Sequence, residues 1–378
     1  MRQVYLDNAA TTPMRPEVYE AMLPYLREEF GNPLSLHRYG EKPRQALTEA
    51  REKVAAFIGA DTREIYFTSS GSEANNMAVK GIALMALTKG KGKHIVVSAI
   101  EHQSVLYAAE TMAKLGFEVT RVPVDEYGLV DPQAVEDALR DDTVLVSVML
   151  ANNEIGTMQP IKAIAEILKE RKIPLHTDAI AAAGHIPVKV DDLGVDLLSL
   201  AGNQFYGPKG AAVLYKRRKL RLQPLIDGGI QENGRRAGTE AVPAIVGLGV
   251  AAEMAAADLE QRANHTRNLR DRLIERLTTE IPNLYLTGHP TQRLPHHVSV
   301  TVEYIEGEAM LLLLNMQGIA ASSGSTCTSR ALKASHVLTA LGVEAALAQG
   351  SLVFTLGKDN TSEDVDYVME VFPDIIDR

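Results

Sequence analysis

The chain has 378 residues, 46% of them hydrophobic and 23% charged, a composition that excludes collagen, coiled coil and disorder and suffices for two cores. Lys plus Arg is 39 against 48 for Asp plus Glu, and the resulting net charge of −9 repels a phosphate backbone, so no nucleic-acid partner is expected. The single cysteine, Cys327, excludes an internal disulfide and any metal site built from several thiolates of one chain.

In chain order, the opening MRQVYLDNAATT has no h-region, and apolar runs such as 310–314 stop short of the ~18 residues a membrane span needs. A cytoplasmic chain without membrane association is expected. Residues 1–19 are read as an N-terminal arm lying against a small domain. Strand-like runs at 64–68, 94–98, 118–123, 143–149, 174–177, 197–200 and 212–215 alternate with helical patterns at 72–87, 104–115, 131–140 and 160–171. Parallel strands need crossovers of about a dozen residues, so the alternation predicts a large α/β domain, residues 20–255, around a doubly wound mixed or parallel sheet. From Val242 one helical pattern runs to Glu280, followed by strand-like runs at 297–302 and 351–355. Residues 256–378 are read as a smaller α+β domain carrying the cysteine loop.

The segment Thr68-Ser69-Ser70-Gly71-Ser72-Glu73-Ala74-Asn75-Asn76 follows a strand and opens a helix, which reads as a phosphate cradle or as an ordinary capped turn. Glu101-His102-Gln103, Ala151 to Thr157, His176-Thr177-Asp178-Ala179 and Tyr206-Gly207-Pro208-Lys209-Gly210 each fall at or past the carboxyl end of a strand, where open α/β sheets bind ligands. Asp178 leaves an apolar strand and needs a cationic partner, such as a pyridinium nitrogen, unless it caps a helix before Ala179. Taken singly, His102 reads sooner as a hydrogen-bonded core histidine and Asp178 as a helix cap; taken jointly and in this order, the motifs favour a ligand site. Cys327 stands among Ser322, Ser323, Gly324, Ser325, Thr326, Thr328 and Ser329, a polar setting that favours an exposed thiolate near Arg330 over the buried role usual for a lone cysteine.

With Tyr5 to Thr12, Gly31-Asn32-Pro33-Leu34-Ser35-Leu36-His37, Arg236-Ala237-Gly238-Thr239-Glu240 and Ser322 to Cys327, these motifs run in order along nearly the whole chain. The sequence resembles the IscS/NifS-type cysteine desulfurases, fold type I, class V aminotransferase-like enzymes that use pyridoxal 5′-phosphate (PLP). The resemblance implies that His102 stacks on the pyridine ring, Asp178 pairs with its nitrogen, and Asn153 lies near O3′ and the substrate carboxylate. It implies that Gly71 and Ser72 hold the phosphate, that Thr239 reaches the phosphate of the neighbouring subunit in a homodimer, and that Cys327 takes sulfur from L-cysteine as a persulfide.

Departures from the family pattern fall on the same pocket. Where the family has Ser-Gly-His-Lys, with the lysine forming the Schiff base, this chain has Ala201-Gly202-Asn203-Gln204. A carboxamide nitrogen is delocalised into its carbonyl and is neither a nucleophile toward an aldehyde nor a base. Ala181 replaces the glutamine that donates to O3′, and Val353 replaces the arginine that clamps the substrate carboxylate. Lys209 belongs to a Gly-Pro loop that the family carries in addition to its catalytic lysine. The resemblance also implies a Leu-Arg-rich tail that docks the IscU scaffold, which the sequence through Asp374-Ile375-Ile376-Asp377-Arg378 does not include, whether the ending is natural or trimmed.

These features favour a desulfurase homologue in iron–sulfur cluster assembly. It would have lost Schiff-base catalysis, bind PLP weakly and non-covalently or not at all, and use Cys327 to relay sulfur from L-cysteine or another source. Cys327 would alternatively ligate a [2Fe-2S] cluster shared with an IscU-type scaffold. An active PLP-dependent desulfurase, making L-alanine from L-cysteine with a persulfide on Cys327, and a non-catalytic dimeric platform are the alternatives.

Overall fold

A computed structural model describes residues 2–324 and 334–377; Cys327, and with it the expectation of an exposed thiolate, lies outside the described residues. Strand β1 is Val4–Tyr5, and the first long helices are α1 (Pro16–Arg27) and α2 (Arg38–Ile58). The large sheet is built from β2 (Ile65–Thr68), β3 (His94–Ser98), β4 (Glu118–Val122), β5 (Thr143–Ser147), β6 (Leu175–Asp178), β7 (Leu197–Ala201) and β8 (Ala212–Lys216). Among the described residues they form a seven-stranded sheet in the order β2-β8-β7-β6-β5-β3-β4. β4, β3, β5, β6 and β7 are parallel, and β8 runs antiparallel to both β7 and β2. The sheet is therefore mixed, as the alternating pattern predicts. Every residue of β3, β5 and β7 is buried, which is why these strands read as continuous apolar runs rather than alternating ones.

Helix α3 (Gly71–Thr88) starts where Ser70 accepts a hydrogen bond from the Glu73 amide at 3.1 Å, and α4 (Gln103–Ala113) starts at His102, whose Nδ1 accepts from the Ser104 amide at 3.1 Å. The predicted strand 143–149 ends at Ser147, because Met149 and Ala151 leave the sheet to line a cavity. Asp178 is the last residue of β6. No helix follows it, so the helix-cap reading is corrected: its Oδ1 accepts from the Ile180 amide at 2.9 Å in a turn.

Beyond the large sheet, β9 (Leu284–Leu286), β10 (His297–Val302) and β12 (Ser351–Thr355) form an antiparallel sheet in the order β12-β10-β9, while β11 (Ile319–Ala320) pairs in parallel with β1. Val4 and Leu6 belong to the core of this second region, with Val298, Val300, Leu352 and Phe354. The long helix Val242–Glu280 serves both cores: Ile245, Leu248 and Ala252 pack with the large sheet, Leu269, Leu273 and Leu277 with the small one.

By length and composition this helix is apolar enough to cross a membrane, contrary to the expectation that the chain's apolar runs stop short of such a span. Its apolar face is used inside the fold. Gly247 lies against Met22 of α1 and Gly249 against Ala50 of α2, and Arg262, Thr266 and Arg270 are buried farther along.

Candidate active site

A cavity of about 380 Å³ opens at the carboxyl ends of the parallel strands, where His102, Met149, Ala151, Asn153, Asp178 and Ala201 meet the N-terminus of α3 and residues of the N-terminal segment. A larger concavity, about 670 Å³, lies at the opposite sheet edge among the surface charges Lys162, Lys169, Asp191, Asp196 and Arg217, and holds none of the motif residues.

In the first cavity, Asn75 Nδ2 donates to Asp178 Oδ2 at 2.6 Å and to Ser104 Oγ at 2.9 Å, and Ser104 Oγ bonds His102 Nδ1 at 2.7 Å. His102 and Asp178 are thus fixed through one shared asparagine. Burial pushes the Asp178 carboxyl up, while its electrostatic interaction with His102 works against that rise. Behind them Glu101 is fully buried and its Oε1 accepts from the Met149 amide at 2.6 Å. Burial and the charge of Asp178 push the Glu101 carboxyl well up. A ligand with a protonated ring nitrogen would relieve the desolvation of Asp178.

Gln204 follows β7 in a single 3-10 turn and also lines the cavity. Its Nε2 donates to the carbonyl oxygens of Ala9 and Ala10 at 3.0 and 3.4 Å, and its own backbone carbonyl accepts from His185 Nε2 at 3.2 Å. Gly71 and Ser72 line the cavity beside Ala181, Ala201, Asn203 and Val353. Gly71 packs closely under Ile180, where a Cβ would lie 2.2 Å from Ile180 Cδ1 and would push that side chain aside. Asn153 lines the cavity and its carbonyl accepts from His297 Nε2 at 2.8 Å. Burial pushes the neighbouring Glu154 carboxyl up to about 7, against a hydrogen bond from Ser335 that favours its charged form.

Thr239 is not brought into this cavity. It lines a separate recess with Ser69, Arg236 and Glu240, where Arg236 Nε bonds Glu73 at 2.8 Å. Among the described residues lining the cavity, none is Lys or Arg.

The family of class V aminotransferases matches residues 4–368. A relative named cysteine desulfurase IscS from Methanosarcina thermophila is 55% identical over 377 residues, covering 100% of this chain and 93% of that protein. Another of the same name from Dictyoglomus turgidum is 50% identical, covering 100% and 95%. The chain belongs to the IscS/NifS-type cysteine desulfurases. A solved structure titled NifS-like protein superposes with a TM-score of 0.93 at 36% identity, each chain fully covered, so the fold is that of the fold type I PLP enzymes.

The cavity can be tested against the cofactor of this family. His102, Asp178 and the α3 N-terminus fit a planar ring with a protonated nitrogen and an attached anion. The set does not fit covalent attachment of an aldehyde, since no described lining residue carries an amine.

The sequence reading placed His102, Asp178, Asn153, Gly71, Ser72 and Gln204 at one site, and all six line one cavity. Asn75, Glu101, Glu154 and Asp7 lie within the sequence motifs, whose pattern assigns them no role. The signal for them was polarity inside apolar surroundings, without any indication of partner.

Proposed function

We propose that this member of the cysteine desulfurase family serves iron–sulfur cluster assembly without Schiff-base catalysis, and that Cys327 carries its chemistry. The observation supporting this is a cavity that keeps the ring-binding pair His102 and Asp178 while Gln204, tied to Ala9 and Ala10, stands where a lysine would be needed. Non-covalent binding of the cofactor would rest on His102 and Asp178 at the ring, Asn153 beside it, Gly71 and Ser72 at the phosphate, and Thr239 from a second copy in a homodimer. The cofactor supplies an electron sink when bound.

The Cys327 thiolate would act outward in one of two ways. It would attack the terminal sulfur of a donor persulfide, so that the donor S–S bond breaks, a new one forms on Cys327 and the donor leaves as a thiolate, with no external oxidant. Alternatively it would take one ligand position on a [2Fe-2S] cluster shared with an IscU-type scaffold.

The test is anaerobic reconstitution of chain, scaffold, iron and sulfide with wild type and Cys327→Ser. A cluster whose absorbance and air stability depend on Cys327 is expected. The same cluster with Cys327→Ser would reduce the protein to a platform. A second reading, an active PLP-dependent enzyme releasing L-alanine from L-cysteine, is favoured by the names of the relatives. It requires borohydride reduction to leave a pyridoxyl group on a lysine of the wild-type chain.

A further inference from the structure

Hydrogen-bond acceptors are plentiful in the cavity, and cations are absent among its described lining residues. Gln204 is only 8% exposed and commits its amide nitrogen to the carbonyls of Ala9 and Ala10, while its side-chain oxygen has no partner among the described residues. Two positions before Ala9, Asp7 Oδ1 is buried without a hydrogen-bond partner. Glu154 lines the same cavity with one oxygen bonded to Ser335 and the other without a partner among the described residues.

An aldehyde brings one more acceptor to such a pocket and finds no amine among its described lining residues. A primary ammonium brings three N–H donors and a positive charge. The phosphate-facing residues Ser70, Gly71 and Ser72 treat both forms of the ligand alike, so the discrimination falls on these three side chains.

We propose that the cavity takes the amine form of the family's cofactor, pyridoxamine 5′-phosphate, in preference to the aldehyde, with Gln204, Glu154 and Asp7 as acceptors for its ammonium group. The proposal rests on the lysine-less reading above. No Lys or Arg among the described lining residues offsets these carboxylates; the ligand's ammonium pairs with them, and burial strengthens the pairing.

The experiment titrates the dialysed full-length chain with pyridoxamine 5′-phosphate and with PLP in separate calorimetric runs, followed by borohydride reduction and mass spectrometry of the PLP sample. The amine is expected to bind at least tenfold more tightly than the aldehyde. Glu154→Gln is expected to lower amine affinity about fivefold and leave PLP binding within twofold, and Gln204→Lys to invert the preference with formation of a pyridoxyl-lysine. Equal or tighter binding of PLP to wild type without a lysine adduct, or no saturable amine binding, would overturn this proposal and leave the lysine-less reading standing. A pyridoxyl-lysine in wild type would overturn both.

Discussion

Glu154 shows how one side chain couples this pocket to stability. Its carboxyl titrates near 7 in the folded chain against an ordinary 4.5, because burial disfavours the charge. Between those values the folded chain binds a proton at Glu154 that the unfolded chain has released, so stability falls as pH rises from about 4.5 to 7 and levels off above. The loss is on the order of 3 kcal/mol for a shift of this size. Urea unfolding of wild type and Glu154→Gln at stepped pH is expected to show this slope in wild type and its loss in the variant. A parallel slope in both would mean that Glu154 is charged in the fold. The same residue marks the limit of what the sequence makes legible. His102 and Asp178 could be placed on the ligand-binding edge of the sheet because each follows a strand-like run, and the family resemblance supplied their roles. The task of Glu154 depends on Ser335, 181 positions away, and that of Asn75 on Asp178, 103 positions away, and no local pattern records such partners.

The same division holds for elements. Buried parallel strands were legible as apolar runs between breakers, and the helix Val242–Glu280 was legible through its length. The packing of that helix was not, because it depends on small residues whose meaning appears only against a neighbour. A Cβ on Gly249 would lie 2.8 Å from Ala50 Cα and 2.9 Å from Ala50 Cβ of α2, and backbone atoms cannot rotate aside. Gly249→Ala gains up to about 1 kcal/mol in helix propensity and costs about 1–3 kcal/mol in overpacking. The second effect wins, and denaturant unfolding is expected to show net destabilisation of about 1–2 kcal/mol. A stabilised variant would mean that α2 and the long helix have room to separate. Since that helix joins both cores, its position against α2 also sets how the second region, with Ser322 and Val353, meets the cavity.

At the scale of the whole molecule, the segment 26–39 leaves Leu26, Phe30, Leu34, Leu36 and Tyr39 exposed, with Leu36 at 94% and Phe30 at 74%, and Ile230 is 76% exposed in the Gly- and Arg-rich loop. Large apolar side chains this open and this concentrated mark a surface that another molecule covers. The loop itself is anchored: Glu232 bonds Arg51 through two contacts at 2.7 and 2.8 Å and accepts from the Phe67 amide at 2.9 Å. Thr239 is exposed and lines a small recess apart from the cavity that holds His102 and Asp178. A second copy related by a two-fold axis would cover the apolar segment and give Thr239 a site, the closed arrangement usual for homo-oligomers. Sedimentation equilibrium is expected to give twice the chain mass of 41.1 kDa. The double variant Leu36→Glu, Ile230→Glu is expected to shift the species to a single chain, since two carboxylates cannot be buried unpaired at an apolar interface. A wild-type chain that sediments as a monomer at micromolar concentration would leave Thr239 without a ligand to reach and would remove it from the phosphate site proposed above.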